Sequence, residues 1–333
     1  MGSYRNPSAS VSKVARVLVR EFQDGQAVDC VLLVREVEVR RKRAGGEYLK
    51  LVLGDRTGTV PAVMWEGGAD VATNTPCGRP ARVTGRYAVH TRYGPQLVIE
   101  ALEPVRDGEY DPHGLLDGPA HEVTQMESDL RALLETIQNP HLRRLLDDLL
   151  GEDSPVWQRY RVAPAAKYNH EAYRHGLLEH SLTVAQAVSA ISATFPGVDR
   201  EIAITGALLH DIGKLEAYTA APDIDLTDEG RLQGEIPLGY YRVRRAIERL
   251  DGFPAALGQA VLHIILSHHG ALEHGSPVVP CTREATLVHM VDNLGGRLGS
   301  FDRLEKQLIE GQRWSSFDRV LGAGAFFAGR EAA

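Results

Sequence analysis

An all-β barrel followed by an all-α domain is the multidomain architecture this sequence predicts. Between residues 27 and 105, short β-rich runs are separated by Gly-rich turns; from residue 122 onward, apolar residues recur at helical spacing. The charge changes with the periodicity. Residues 1–106 carry 16 Lys and Arg against 11 Asp and Glu, whereas the remainder carries 21 against 33. A basic front half and an acidic rear half suggest nucleic-acid contact by one and metal collection by the other. At 333 residues there is room for two cores of ordinary size.

Residues 1–15 read as a flexible tail and 16–106 as the barrel domain. Val28 to Val39 is a long β-rich run, and Arg40, Arg41, Lys42 and Arg43 with Gly45-Gly46 form a cationic hairpin tip. Tyr48 to Leu53, Val60 to Trp65, Arg82 to Val89 and Gln96 to Leu102 are the further strands, separated by turn clusters such as 54–58 and Tyr93-Gly94-Pro95. Residues 107–155 read as a linker rich in Gly, Pro and Asp, then connecting helices that Pro140 divides in two. The last domain, 156–325, is helical nearly throughout, with helices over 176–194, 200–211, 237–250, 254–268 and 283–294.

Composition narrows the class. A hydrophobic content of 43% with 24% charged residues describes a globular protein. The net charge of −7 argues against an indiscriminate nucleic-acid binder. The N-terminus lacks the apolar core of a signal peptide, and no apolar run approaches the roughly 20 residues of a membrane helix. Cys30, Cys77 and Cys281 are scattered with no CxxC pair, so neither a disulfide framework nor a thiolate zinc site is indicated. The expected home is the reducing cytoplasm, with no membrane partner.

The chemistry concentrates in the octet Ala207-Leu-Leu-His-Asp-Ile-Gly-Lys214. Adjacent His210 and Asp211 at a helix end can both ligate one divalent cation, imidazole suiting transition metals and carboxylate the harder ions. Gly213 is placed to end the helix in a left-handed conformation, and Lys214 then sets a cation where a phosphate could sit. His180, His268-His269 and Asp292 occupy the edges of other apolar helices, Asp292 sharing a helix face with His289. Each has a plainer reading: a satisfied core histidine for His180, dipole-favoured helix-end histidines for 268 and 269, a polar face residue for Asp292. Four edges of one bundle offering ligand types favours a shared cation.

The phrase Leu53-Gly-Asp-Arg-Thr-Gly-Thr-Val60, ending in Trp65, resembles the strand-turn-strand of OB-folds that bind nucleic acid. The order His180, His210-Asp211, Asp292 resembles the HD-domain superfamily of metal-dependent phosphohydrolases. The segments 165–170 (AAKYNH), 176–180 (GLLEH), 208–214, Leu266-Ser-His-His-Gly270, Gly275-Ser-Pro277 and Asp292-Asn-Leu294 are similar to one branch, the YhaM-type 3′→5′ exoribonucleases. In that family an OB-fold precedes an HD domain. The resemblance implies a first metal on His180, His210, Asp211 and Asp292, with His268 and His269 at the positions of a second. Where that pattern carries a His after a Gly, this chain reads Gly234-Glu235, so Glu235 is the remaining candidate ligand. Gly295-Gly296 also departs from the pattern. The implied cofactor is one or two divalent ions, Mn²⁺ or alternatively Fe²⁺, Co²⁺ or Ni²⁺, and the implied assembly is a homo-oligomer.

The expected activity is metal-dependent hydrolysis at the 3′ end of single-stranded RNA, extending to single-stranded DNA. Asp211 would orient the attacking water, and Lys214, with Lys167 or His170, would offset charge on the phosphoryl oxygens. Arg40, Arg41, Lys42 and Arg43 would track phosphates, while Tyr93, Tyr87 or Tyr48 could stack bases. Trp65 could stack too, but for it filling the barrel core is the favoured reading, and His263 and His289 are expected to be core histidines or to support ligands without being ligands. Two other classes fit: an HD-domain nucleotide phosphohydrolase and a non-catalytic single-strand-binding factor. Against a cyclic-dinucleotide enzyme, His268-His269-Gly270 lacks a following Gly-Tyr-Pro. Against a mononucleotide enzyme stands the OB-like module, which a small substrate does not need.

Overall fold

Period-two alternation of apolar residues closes the N-terminal strands into a barrel. The computed structural model describes residues 17–42, 45–66, 68–90, 94–106, 108–110, 115, 118–167, 171–220, 224–308 and 312–328. It divides into two units, 1–115 and 116–333. In the first, β1 (Ala27–Arg41), β2 (Glu47–Asp55), β3 (Gly58–Met64), β4 (Pro80–His90) and β5 (Gly94–Pro104) form a closed barrel in the order β1-β2-β3-β5-β4. All pairings are antiparallel except β3 with β5. Leu49, Leu51 and Leu53 of β2, Val60 and Ala62 of β3, and Leu97 and Ile99 of β5 point inward and are buried.

One strand does the work of two. Residues 27–33 of β1 pair with β4 and residues 33–41 pair with β2, with an irregularity between Val34 and Glu36 where the strand changes course. A bulge bends a strand and increases its twist, which lets one 15-residue segment close both sides of the barrel. A short helix, α1 (Ala69–Asn74), joins β3 to β4. It has no buried residue and therefore no apolar periodicity to announce it in the sequence.

In the second unit, α2 (Val123–Glu135) and α3 (Pro140–Leu150) are divided at Pro140, which occupies the first turn of α3 behind the capping side chain of Asn139. Their leucines join the main helical core. After α4 (Pro155–Tyr160) come α5 (Gly176–Ser192) and α6 (Arg200–Leu209), then α7 (Lys214–Ala217), α8 (Asp228–Gln233), α9 (Glu235–Arg249), α10 (Ala255–Ser267) and α11 (Arg283–Gln307). Helix α6 is the hub: α5, α10 and α11 all pack against it. Gly206 makes one such approach possible, since a Cβ there would lie 2.3 Å from Ile264 Cδ1 of α10.

Two features depart from expectation. Helix α11 runs past residue 294, through Gly295 and Gly296, to Gln307. Each glycine in a helix interior is about 1 kcal/mol less favourable than alanine, which is why sequence alone stops the helix there. Buried Ser300 and Leu304 carry it onward, Ser300 Oγ donating to the Gly296 carbonyl at 3.2 Å. The domain is also not wholly helical, because β6 (Trp314–Asp318) and β7 (Ala323–Phe326) form a C-terminal hairpin. Asp318 caps its turn by accepting from the Val320 and Leu321 amides, both at 3.0 Å, and pairs with Arg303 of α11.

Candidate metal centre

The site assembles from helix ends. His210 is the C-cap of α6 and His268 the C-cap of α10, followed by Asp211 and His269 respectively. Glu235 opens α9, His180 lies in the second turn of α5, and Asp292 sits mid-way along α11. Gly213 does not take the expected left-handed conformation; its φ is −68°. It is required for a different reason. A Cβ at 213 would lie 2.0 Å from the Glu235 carbonyl oxygen and 2.4 Å from the Gly239 amide nitrogen, so glycine lets the chain after Asp211 pass directly over the start of α9.

Three of the imidazoles have their tautomer set from behind. His210 Nδ1 lies 2.7 Å from the Ala207 carbonyl, His268 Nδ1 2.8 Å from that of Ile265, and His269 Nδ1 2.9 Å from that of His274. A carbonyl only accepts, so Nδ1 carries the hydrogen in each and Nε2 offers its lone pair to the cluster. His180 is oriented by a carboxylate instead, its Nδ1 lying 2.9 Å from Glu171 Oε2. Such partners fix ring orientation and raise ligand basicity.

The lone pairs converge. His180 Nε2 lies 3.2 Å from His210 Nε2, 3.3 Å from Asp211 Oδ2 and 3.1 Å from Asp292 Oδ1. His210 Nε2 is 3.3 Å from the same Asp211 oxygen. On the other side, Asp211 Oδ1 faces His268 Nε2 at 3.5 Å, and His269 Nε2 faces Glu235 Oε1 at 3.4 Å. The groups His180–His210–Asp292, His210–Asp211–His268 and Glu235–His268–His269 each hold their ligand atoms within 4.8 Å of one another. Asp211 Oδ1 and His268 Nε2 are buried with no hydrogen-bond partner among the described residues. Orphaned polar atoms in an interior cost free energy unless something binds them. A divalent cation fits that donor set, nitrogen and oxygen ligands with no thiolate.

Electrostatics agree. Burial opposes a charge on His180, but the carboxylates of Asp211, Asp292 and Glu171 outweigh it and hold its pKa well above the ordinary imidazole value. Burial likewise opposes ionisation of Asp211, and Lys214, His210 and His180 reverse the sign, holding its carboxyl well below the usual range. Asp292 is held low by His180 and His210, and Glu235 by Lys214 and His269, again against burial. Lys214 Nζ sits 2.8 Å from Asp211 Oδ2, which keeps the buried ammonium charged. His268 goes the other way: burial lowers its pKa and keeps it a neutral donor. Carboxylate charge from Asp211, Asp292 and Glu235 therefore persists around the imidazole cluster, the environment a cation seeks.

A partly open cleft of about 150 Å³ leads to this cluster, lined by Ala165, Ala166, Glu171, His180, Asp211, Lys214, His269, Asp292 and Gly296. Glu171 is the residue the sequence reading missed. It lies nine positions before His180 in a non-helical segment, so no periodicity links them. The local backbone is tight: Glu171 and His175 have positive φ of 60° and 73°, and a Cβ on Gly176 would lie 2.1 Å from the Glu171 carbonyl oxygen. Such strain in non-glycine residues is a mark of functional segments.

The remaining sequence candidates are spread more widely. Lys167 does not line the cleft; its Nζ is 2.6 Å from Asp225 Oδ1. His170, Arg43 and Tyr93 lie outside the described residues. In the barrel, Arg40 and Arg41 are exposed and Lys42 is half-buried, Arg40 pairing with Glu38 at 2.9 Å. Trp65 does not fill the barrel core: it is 52% exposed and stacks on Tyr48, ring centroids 5.2 Å apart. The inward register of β3 ends at Met64, and period two leaves residue 65 facing out. His289 touches a candidate ligand, its Nδ1 bonding the His268 carbonyl, whereas His263 does not, its Nε2 accepting from the Cys281 amide.

Residues 177–296 match the HD domain family. Over most of its length the chain is also similar to proteins named 3′-5′ exoribonuclease YhaM. The one from Shouchella clausii (strain KSM-K16) is 29% identical over 312 residues, covering 88% of this chain and 91% of that protein. The one from Bacillus subtilis (strain 168) is 28% identical over 292 residues, covering 86% and 90%. The chain therefore contains an HD domain and resembles the YhaM proteins over most of its length. Among solved structures, the second OB-fold domain of replication protein A from Methanococcus maripaludis covers 28% of the chain at 16% identity with a TM-score of 0.23. The OB-like character of the barrel rests on its own strand order. The HD domain brings an expectation of divalent-metal dependence, and the convergent cluster lies within or beside its matched span.

Proposed function

We propose that this chain is a divalent-metal-dependent 3′→5′ exoribonuclease that shortens single-stranded RNA one nucleotide at a time. The observation that carries the reading is the convergence of His180, His210, Asp211 and Asp292 on one point, in a chain whose relatives are named for that activity. His180, His210, Asp211 and Asp292 would hold one cation. Asp211 Oδ1, His268, His269 and Glu235 would hold a second, with Asp211 shared between them. Bound there, a divalent ion polarises a phosphoryl oxygen and acidifies water. Mn²⁺ is our choice because half of each donor set is carboxylate, with Fe²⁺, Co²⁺ and Ni²⁺ as competitors.

The chain's own groups do the rest. Asp211 is the catalytic carboxylate that orients the attacking water. Lys214, already charged and in the cleft, offsets negative charge on the non-bridging oxygens. Glu171 positions His180 through its Nδ1. On the barrel, Arg40, Arg41 and Lys42 offer phosphate contacts, and Trp65, exposed and stacked on Tyr48, offers a surface for bases. Lys167 and His170 keep a substrate-binding role in the proposal, Lys167 through release from Asp225. We place the protein in the cytoplasm as a homo-oligomer; no helix among the described residues is long and apolar enough to cross a membrane.

A 5′-labelled single-stranded RNA incubated with the metal-loaded protein tests the reading. Stepwise shortening of the labelled strand is the expected result, together with one or two ions per chain by elemental analysis. Immediate release of labelled mononucleotide would reverse the polarity, and turnover of free nucleotides alone would leave the nucleotide phosphohydrolase. Binding without hydrolysis would leave the single-strand-binding factor. The same ladder run on single-stranded DNA measures how strictly the sugar is read. Light scattering reads the assembly, and a monomeric mass would remove the oligomer from the proposal.

A further inference from the structure

Residues 171–175 hold a backbone that their own chemistry disfavours. Glu171 and His175, neither of them glycine, bound the segment with φ of 60° and 73°. Such conformations persist only where the surroundings over-determine them. Backbone hydrogen bonds fasten the two ends: the Ala165 amide donates to the Glu171 carbonyl at 3.1 Å, and the His175 amide to that of Val162 at 3.3 Å. Tyr173, midway between, is fastened by a side chain, its hydroxyl donating to Oε2 of Glu179.

Glu179 is a buried carboxylate in the first turn of α5. A buried charge costs free energy unless hydrogen bonds replace the lost water. Here each oxygen has a donor, Oε1 taking the Ala120 amide at 2.7 Å and Oε2 the Tyr173 hydroxyl. Both donors come from segments that precede α5, so the carboxylate draws 118–121 and 171–175 onto the start of that helix.

The next residue is His180. Neighbours on a helix project about 100° apart, so Glu179 and His180 leave α5 in different directions, and the loop meets both. Glu171 holds His180 Nδ1 at 2.9 Å, and Tyr173, two residues on, is held by Glu179. Fixing Tyr173 therefore fixes how Glu171 is presented to the imidazole.

We propose that Glu179 is a positioning residue of the metal centre: by holding Tyr173 it keeps Glu171 on His180, and so keeps the imidazole aimed at the cation. The inference rests on the metal-centre reading above and is independent of the strand polarity.

Tyr173→Phe removes the hydroxyl and keeps the ring; Glu179→Gln keeps the size and removes the charge. Glu201→Gln is the control, because Glu201 also ties a preceding segment, accepting from the Asn139 amide at 2.7 Å, but lies at the opposite end of α6 from His210. Each full-length variant is titrated with Mn²⁺ by calorimetry, or with Co²⁺ where wild type takes only that ion, and its fold is checked by melting. Tyr173→Phe and Glu179→Gln should bind the ion about tenfold more weakly, the lower end of the loss for groups that orient ligands. Glu201→Gln should bind as wild type whatever its melting temperature. Tyr173→Phe combined with Glu171→Gln should lose no more affinity than Glu171→Gln alone, since both act through one hydrogen bond to His180.

Wild-type affinity in Tyr173→Phe, whether or not Glu179→Gln folds, overturns the proposal. So do additive losses in the double variant, and an equal loss in Glu201→Gln, which would make the effect one of general stability. An unfolded Tyr173→Phe overturns it as well, by making the tie a requirement of the fold. Wild-type protein that binds neither ion defeats the metal-centre reading instead, and this inference falls with it.

Discussion

Each unit of the protein buries aspartate, and the two are treated oppositely. Asp55 in the barrel is 4% exposed, and its carboxylate is fully engaged: Oδ2 accepts from the Val19 amide at 2.8 Å, Oδ1 from the Thr57 amide at 2.7 Å and the Thr57 hydroxyl at 2.6 Å. Asp211 in the helical unit is 3% exposed, takes Lys214 on Oδ2 and leaves Oδ1 without a donor. Burial of a carboxylate is thus no mark of a site. The open lone pair is, because folding has taken Asp211 out of water without replacing all that water supplied. Asp55 ties the residues before β1 to the β2–β3 turn; Asp211 keeps one oxygen open toward His268 Nε2.

The sharpest way to break the contrast is Asp211→Asn. Hydrolysis should fall on the order of 10³-fold or more, as for other residues that act as a unit with their neighbours, while binding to single strands survives. Residual activity near wild type, measured by single-turnover cleavage, would place the chemistry elsewhere. Next in size is Glu171→Gln, which weakens the partner of His180 without touching a ligand. Metal affinity should drop about 10–100-fold, read by titration with Mn²⁺, and an unchanged affinity would make Glu171 merely a loop residue. Trp65→Ala tests the barrel as a binding surface: single-strand affinity should fall by about tenfold, one lost stack of ~1–3 kcal/mol, with the metal centre unaffected. The smallest effect belongs to Asp55→Asn, which keeps one acceptor oxygen and turns the other into a donor. The barrel should lose about 1–2 kcal/mol in urea unfolding, with metal content unaltered. Metal lost from Asp55→Asn, or a stability loss alone in Asp211→Asn, would erase the distinction between the two carboxylates.

The architecture and the metal-ligating candidates were legible because they obey short-range rules. Strand alternation in 49–53 and helical leucines in 130–150 follow from which face must be buried. His210 and Asp211 announce themselves as adjacent polar residues ending an apolar helix, and His180, His268 and Asp292 as polar edges of others. Glu171 was hidden because a carboxylate meeting a histidine from a loop leaves no periodic trace. Trp65 was misjudged because an aromatic residue ending a strand of apolar alternation reads as core until the register is known. The C-terminal hairpin was hidden by its shortness.

Sequence alone, then, determined which residues could become ligands and which helices would carry them, since residue chemistry and helical period are local properties. Only tertiary structure decided that four imidazole Nε2 atoms and the carboxylates meet, that Glu235 pairs with His269 next to them, and that Gly213 is there for a 2.0 Å approach and not a left-handed cap. Those outcomes depend on how α5, α6, α9, α10 and α11 pack. Packing brings together atoms as far apart in sequence as His180 and Asp292, and no spacing rule along the chain reaches that far.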